Sequence, residues 1–99
     1  MRVGNIKFKK MKTVIITHEV KNYSVWRKAY DADAVNRSKA GFHPTGEYQS
    51  ESNPNMVTVI VEAPSLEAVD SFMSNPELKA SMEQGGVIGV PDVKILNKI

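Results

Sequence analysis

The sequence predicts a single α+β domain built in the order β-α-β-β-α-β. Three observations predict it. One run, MVTVIVEA (56–63), is apolar on both faces, as a strand in the middle of a covered sheet must be. Two stretches carry apolar residues at helical spacing, each opened by capping chemistry and closed by glycine. Segments of strand character flank both of them.

The elements follow in order. MRVGNIKFKK (1–10) precedes a second methionine, and the strongly patterned sequence begins after Met11. Residues 1–11 read as a flexible basic tail, which leaves 12–99 as one domain. A short edge strand is the alternative for the tail, because Ile6 and Phe8 alternate with lysines. TVIITHEV (13–20) is rich in β-branched residues and reads as a strand. Val14, Ile16, His18 and Val20 fall on one of its faces, and Thr13, Ile15, Thr17 and Glu19 on the other. Ser24 is the expected N-cap of the first helix, since its hydroxyl can accept an unpaired N–H of the first turn. Gly41 stops that helix by allowing a left-handed backbone.

TGEYQSES (45–52) is a weaker, more polar strand, and NPN (53–55) is turn chemistry. In 56–63, Val57, Val59 and Val61 oppose Met56 and Ile60. Ser65 caps the second helix, with Glu67 in its positive first turn. Leu66, Val69, Phe72 and Met73 form its apolar stripe. SNPEL breaks and restarts the helix, because proline suits a first turn and no later position. Leu78 and Met82 continue the buried face until Gly85 and Gly86 end it, and Pro91 precedes a last strand, DVKILNKI (92–99).

This order is the ferredoxin-like split βαβ arrangement, four antiparallel strands with both helices on one face. Ile15, Met56 and Ile60 then lie on the helix-free face. An apolar patch there marks a partner surface, and a two-fold homodimer is the simplest partner.

Composition narrows the function. Apolar content of 41% with 24% charged residues describes a folded chain rather than a disordered one. The sequence has no apolar run long enough to span a membrane and no secretory signal pattern. It has no cysteine, which excludes disulfides and thiolate chemistry and fits a cytoplasmic protein. The net charge of +2 hides an asymmetry. Arg2, Lys7, Lys9, Lys10 and Lys12 stand together without an acid, leaving eight basic residues against eleven acidic ones in the body. An acidic body argues against nucleic acid, whose phosphates call for a basic stripe on the folded surface.

One constellation invites chemistry. In a helix over WRKAYDADAVNR (26–37), Trp26, Ala29, Tyr30, Asp33, Arg37 and Ala40 share a stripe, while Arg27, Lys28, Asp31 and Ser38 lie opposite. Asp33 and Arg37 are four apart and can pair at the rim of the stripe as an ordinary surface ion pair. The alternative is a pocket walled by Trp26 and Tyr30, with Arg37 directed at an anionic or carbonyl group. His18, on the inward face of the first strand, is either a hydrogen-bonded core residue or a catalytic base. Tyr48 could bring its hydroxyl to the same place, and Glu62 could orient His18 or Arg37. His18 and His43 sit in no metal-binding cluster, and neither a phosphate loop nor a serine nucleophile elbow is present.

From about Lys12 to Ile99 the chain resembles the dimeric α/β-barrel superfamily, closest to small stand-alone proteins near the antibiotic-biosynthesis monooxygenases. The resemblance rests on YSVW (23–26), AYD (29–31), Arg37 with Gly41, NPNMVTVIVE (53–62), Phe72, NPEL (75–78), Met82 and GV (86–87). It implies two sheets paired face to face and a ligand held between sheet and helices. It further implies cofactor-free oxygenase- or cyclase-like chemistry on a small carbonyl or aromatic compound. Haem is not expected, because residues 65–84 contain no histidine. Trp26, Tyr48 and Arg37 match such oxygenases in kind only. Two classes stay open: a ligand-binding, metal-free barrel, or a non-catalytic interaction module whose dimer surface is its purpose.

Overall fold

The computed structural model describes residues 11–99. The expected basic tail and its alternative strand at Ile6 and Phe8 lie outside the described residues, apart from exposed Met11. The elements are β1 (Lys12–Val20), α1 (Tyr23–Ala32), α2 (Ala34–Lys39), β2 (His43–Gln49), β3 (Met56–Ala63), α3 (Leu66–Met73), α4 (Pro76–Gln84) and β4 (Val87–Asn97). The strands form one antiparallel sheet in the order β2-β3-β1-β4, the ferredoxin-like arrangement.

Side-chain alternation sets the two faces. Val14, His18 and Val20 of β1 and Val57, Val59, Val61 and Ala63 of β3 are buried under the helices. With Trp26, Phe42 and Val69 the apolar members form the core. Ile15 pairs with Ile60 and Thr17 with Thr58 on the other face, where the two threonine hydroxyls hydrogen-bond at 2.9 Å. Met56, Ile60 and Ile15 are only half-buried there, and Ile88 and Leu96 of β4, opposite Glu19 and Thr13, are exposed.

Several element boundaries depart from the sequence reading. The first helix is capped by Asn22, whose side chain accepts from the Val25 N–H at 3.1 Å, so Ser24 falls inside the first turn. That helix is interrupted at Asp33, where ψ of 4° tips the backbone out of α geometry before α2 resumes. Gly41 follows with φ of +82°, as its role as a stop requires. β2 begins two residues earlier than expected and ends at Gln49, because a register shift between Pro44 and Gly46 extends the pairing backwards. Ser65 caps α3 as expected, but Leu66 is exposed and takes no part in the buried stripe. β4 starts at Val87 and runs through Pro91, five residues before the predicted start. An edge strand tolerates proline, and an irregularity opposite Thr17–Glu19, with Gly89 at φ +72°, absorbs the missing donor.

Candidate functional site

The inward stripe of α1 and α2 faces a cavity of about 70 Å³ between helices and sheet. Trp26, Ala29, Tyr30, Asp33 and Arg37 line one side, and Ile16, Val59 and Val61 form the sheet wall. Phe72, Met73, Leu78 and Met82 of α3 and α4 close it. The helical period survives the interruption because the Asp33 N–H still reaches the Ala29 and Tyr30 carbonyls, both at 3.2 Å. The stripe therefore stays on one side of a bent helix.

An aromatic column organises the wall. Trp26, 4% exposed, stacks on Tyr30 with ring centroids 4.8 Å apart and 21° between planes. The Arg37 guanidinium lies on Tyr30, its carbon 3.7 Å from the ring centroid. Such contact recovers on the order of 2 kcal/mol of the cost of burying the cation. Burial pushes the Tyr30 phenol up to about 12, against the downward pull of Arg37, so its hydroxyl remains a donor at neutral pH. Among the described residues that buried hydroxyl has no hydrogen-bond partner, and neither has Arg37 Nε.

Asp33 and Arg37 are both buried, each 8% exposed, and they do not form the expected ion pair. Asp33 instead accepts from the Asn36 side chain at 2.8 Å. A surface ion pair at the stripe's rim is thus not what this helix holds. It holds two inward charges of opposite sign that face one cavity separately.

His18 is 7% exposed, and its ring packs edge-on against Trp26 with centroids 5.8 Å apart. It is not among the cavity-lining residues, and its edge-on partner Trp26 is one of them. Among the described residues neither ring nitrogen has a hydrogen-bond partner, which departs from the hydrogen-bonded core histidine that its position first suggests. Burial lowers its pKa below 6.5, which keeps the ring neutral in the folded chain. The unfolded chain then binds the proton more readily. Stability from this group is complete above pH 6.5 and is lost as pH falls below it toward the folded value. His18→Leu should accordingly flatten the fall in Tm on acidification from neutral pH and raise Tm at the acid end. Parallel melting curves for the two chains check this; matching pH dependences would count against it.

Tyr48 and Glu62 do not join this group. Tyr48 pairs with Thr58 and Glu62 with Thr13, which puts both on the helix-free face, across the sheet from Arg37. Tyr48 is 56% exposed, and its ring lies over Gly46, where a β-carbon would come within 2.6 Å of it. Glu62 accepts from the Thr13 hydroxyl at 2.9 Å. The pocket gains two residues that were not anticipated. Phe42, just past the Gly41 stop, is buried against Phe72 with centroids 4.6 Å apart, and Ser81 of α4 faces Asp33's side of the cavity wall. Glu47 faces the helices as well and holds Arg27 at 2.8 Å, tying β2 to α1.

Outside the cavity, between α1–α2 and α4, lies an open groove of about 420 Å³. Ala29, Asp33 and Ser81 border both spaces. Among the described residues, no group of three or more His, Asp or Glu side chains is placed to hold a metal, and no helix is long and apolar enough to cross a membrane.

No protein-family model matches the chain, and no curated protein matches it in sequence. Solved structures do match it in shape. One is a Bordetella bronchiseptica protein provisionally named an antibiotic biosynthesis monooxygenase, with a TM-score of 0.77 at 14% identity, covering 91% of this chain and 98% of that one. Another is a conserved protein from Methanosarcina mazei, with a TM-score of 0.71 at 17% identity over 96% of this chain and 99% of that one. A third is a NIPSNAP family protein of unknown function from Agrobacterium tumefaciens, with a TM-score of 0.64 at 22% identity over 92% and 90%. At these identities the likeness speaks for architecture: the chain has the ferredoxin-like α+β fold seen in the antibiotic biosynthesis monooxygenase structures.

Proposed function

We propose that the protein is a homodimeric barrel that binds a small anionic carbonyl compound between its helices and its sheet. The observation that carries the reading is Arg37, a residue 8% exposed in the cavity wall, whose Nε–H is buried without a partner and whose guanidinium forms no ion pair among the described residues. Drawing a cation away from water carries a cost unless something offsets it, and the Tyr30 ring supplies part of that offset. A carboxylate or enolate oxygen on the ligand would complete the offset and take up the unpartnered Nε–H. The cavity's about 70 Å³ suits a few heavy atoms, well under the roughly 150 Å³ void that encloses benzene. This favours a short carbonyl acid over an aromatic one for the enclosed group.

The chemistry such a site supports is stabilisation of negative charge on an oxygen of the bound acid, the kind of help that cofactor-free oxygenase-like chemistry would need. His18 acts on this site through Trp26, as a positioning residue. The named monooxygenases of the same fold lend the oxygenase-like reading its analogy. Dimerisation is supported by the half-buried Ile15, Met56 and Ile60 on the face without helices. Tyr48 and Glu62 would then sit at or beside the dimer interface, apart from the ligand.

Arg37→Ala tests the reading. Titration with a short carboxylate such as propionate, followed by Trp26 emission, should show affinity weakened by about 1–3 kcal/mol, the scale of a charged hydrogen bond. Tm should change little, because an unpaired buried charge leaves with the side chain. Unchanged affinity, or a collapse of Tm, would assign Arg37 to packing instead.

A further inference from the structure

Resting on that reading of Arg37, we infer that the site selects acids that also carry a hydrogen-bond donor near the acid group, amino acids or hydroxy acids of about three carbons. Asp33 and Arg37 line the same cavity, are equally buried, and make no ion pair with each other. Both side chains are drawn in against the cavity wall without the mutual ion pair that would offset the desolvation of either. If the pair served the fold, four-residue spacing along the helix would let the side chains meet. Instead Arg37 lies flat on Tyr30 and Asp33 is held away by Asn36. That hydrogen bond occupies Oδ1 and, among the described residues, leaves the other carboxylate oxygen to accept from something else. A molecule bearing an acceptor anion and a donor satisfies both residues at once.

The order of the two groups in space follows from the walls. Arg37 borders only the inner cavity, whereas Asp33 borders the cavity and the outer groove. The ligand's carboxylate therefore lies inside on Arg37, and its ammonium or hydroxyl lies at the mouth on Asp33. Any further substituent extends into the groove past Ala32 and Ala80, whose small side chains leave it open. A plain monoanion would meet Asp33 with nothing to offer it and would suffer repulsion at the mouth.

The test uses the full chain and four three-carbon probes: alanine, lactate, propionate and alaninamide. Trp26, the sole tryptophan and part of the wall, reports binding by its emission, with calorimetry as a second readout. Alanine and lactate should bind about 10-fold or more tighter than propionate, corresponding to ~1.4 kcal/mol, and alaninamide should bind weakest. Asp33→Asn keeps an oxygen for the Asn36 bond while removing the charge. It should erase the preference for alanine over propionate without lowering Tm. Arg37→Ala should weaken all three acids together. Propionate binding as tightly as alanine and lactate, with Asp33→Asn changing nothing, would overturn the donor preference while leaving the anion site standing. Acids that fail to bind, or bind Arg37→Ala equally well, would overturn both.

Discussion

Ile60→Lys is expected to leave the chain a folded monomer at micromolar concentrations where the unaltered chain sediments as a dimer. Ile60 lies in β3, one of the two central strands, paired with Ile15 on β1, and both face away from the helices. Each is half-buried within its own chain, so only a second layer can dry this face. A two-fold interface places each substitution in the contact twice. An ammonium at a dry apolar interface without a partner costs on the order of several kcal/mol, enough to undo an ordinary protein–protein contact. In the monomer the lysine stem can lie along the sheet with its charge in water, so the fold itself tolerates the change. Circular dichroism should therefore keep its native shape while the sedimentation coefficient falls. A dimer that survives Ile60→Lys would place the interface elsewhere. A variant that loses its circular dichroism would show that the isoleucine serves the single chain's own core.

What was legible in the sequence was what periodicity alone decides. β3 lies at the residues read for it, because alternating valines with turn chemistry before them leave one register. The stripe of Trp26, Tyr30, Asp33 and Arg37 came through intact because a bend at one residue does not disturb a helical period. The bend itself carries no signal, since Asp33 and Ala34 are not breakers. β4 was shortened in the reading because Gly89 and Pro91 look like loop residues, and only an edge position makes them acceptable in a strand. Tyr48 was misplaced for a subtler reason. Its face depends on the irregularity at Pro44–Gly46, and a one-residue shift turns every side chain of a strand over. Glu62 was different: it shares parity with Met56 and Ile60, so the alternation already put it on the helix-free face. That Asp33 and Arg37 avoid each other was illegible, because spacing says that two side chains can meet and not that they do.

Trp26→Ala is expected to cost about 3–5 kcal/mol, the usual penalty for truncating a buried large aromatic. For a chain of this size that lowers Tm by on the order of 20 °C. Trp26 joins several parts of the site's support. It stacks on Tyr30, meets His18 edge-on, lies 5.9 Å from Tyr23, and belongs to the buried core under α1. Without it Tyr30 loses the ring against which it is stacked, and with that goes the platform on which Arg37 lies. The existing cavity would also merge with the space the indole vacates, so the walls cannot relax around a small void. The two melts must be compared at equal protein concentration, because the proposed dimerisation would make Tm depend on it. Added indole separates the causes. If the loss comes from the missing packing, indole should enter the enlarged apolar space and return part of the Tm, as ligands that bind only the folded state do. Trp26→Phe should fall between the two chains, keeping a ring on Tyr30 while giving up volume. A loss below about 1 kcal/mol on Trp26→Ala would mean that the helix is held to the sheet by Phe42, Val69 and the valines alone, and that the aromatic column is a surface of the cavity rather than its frame.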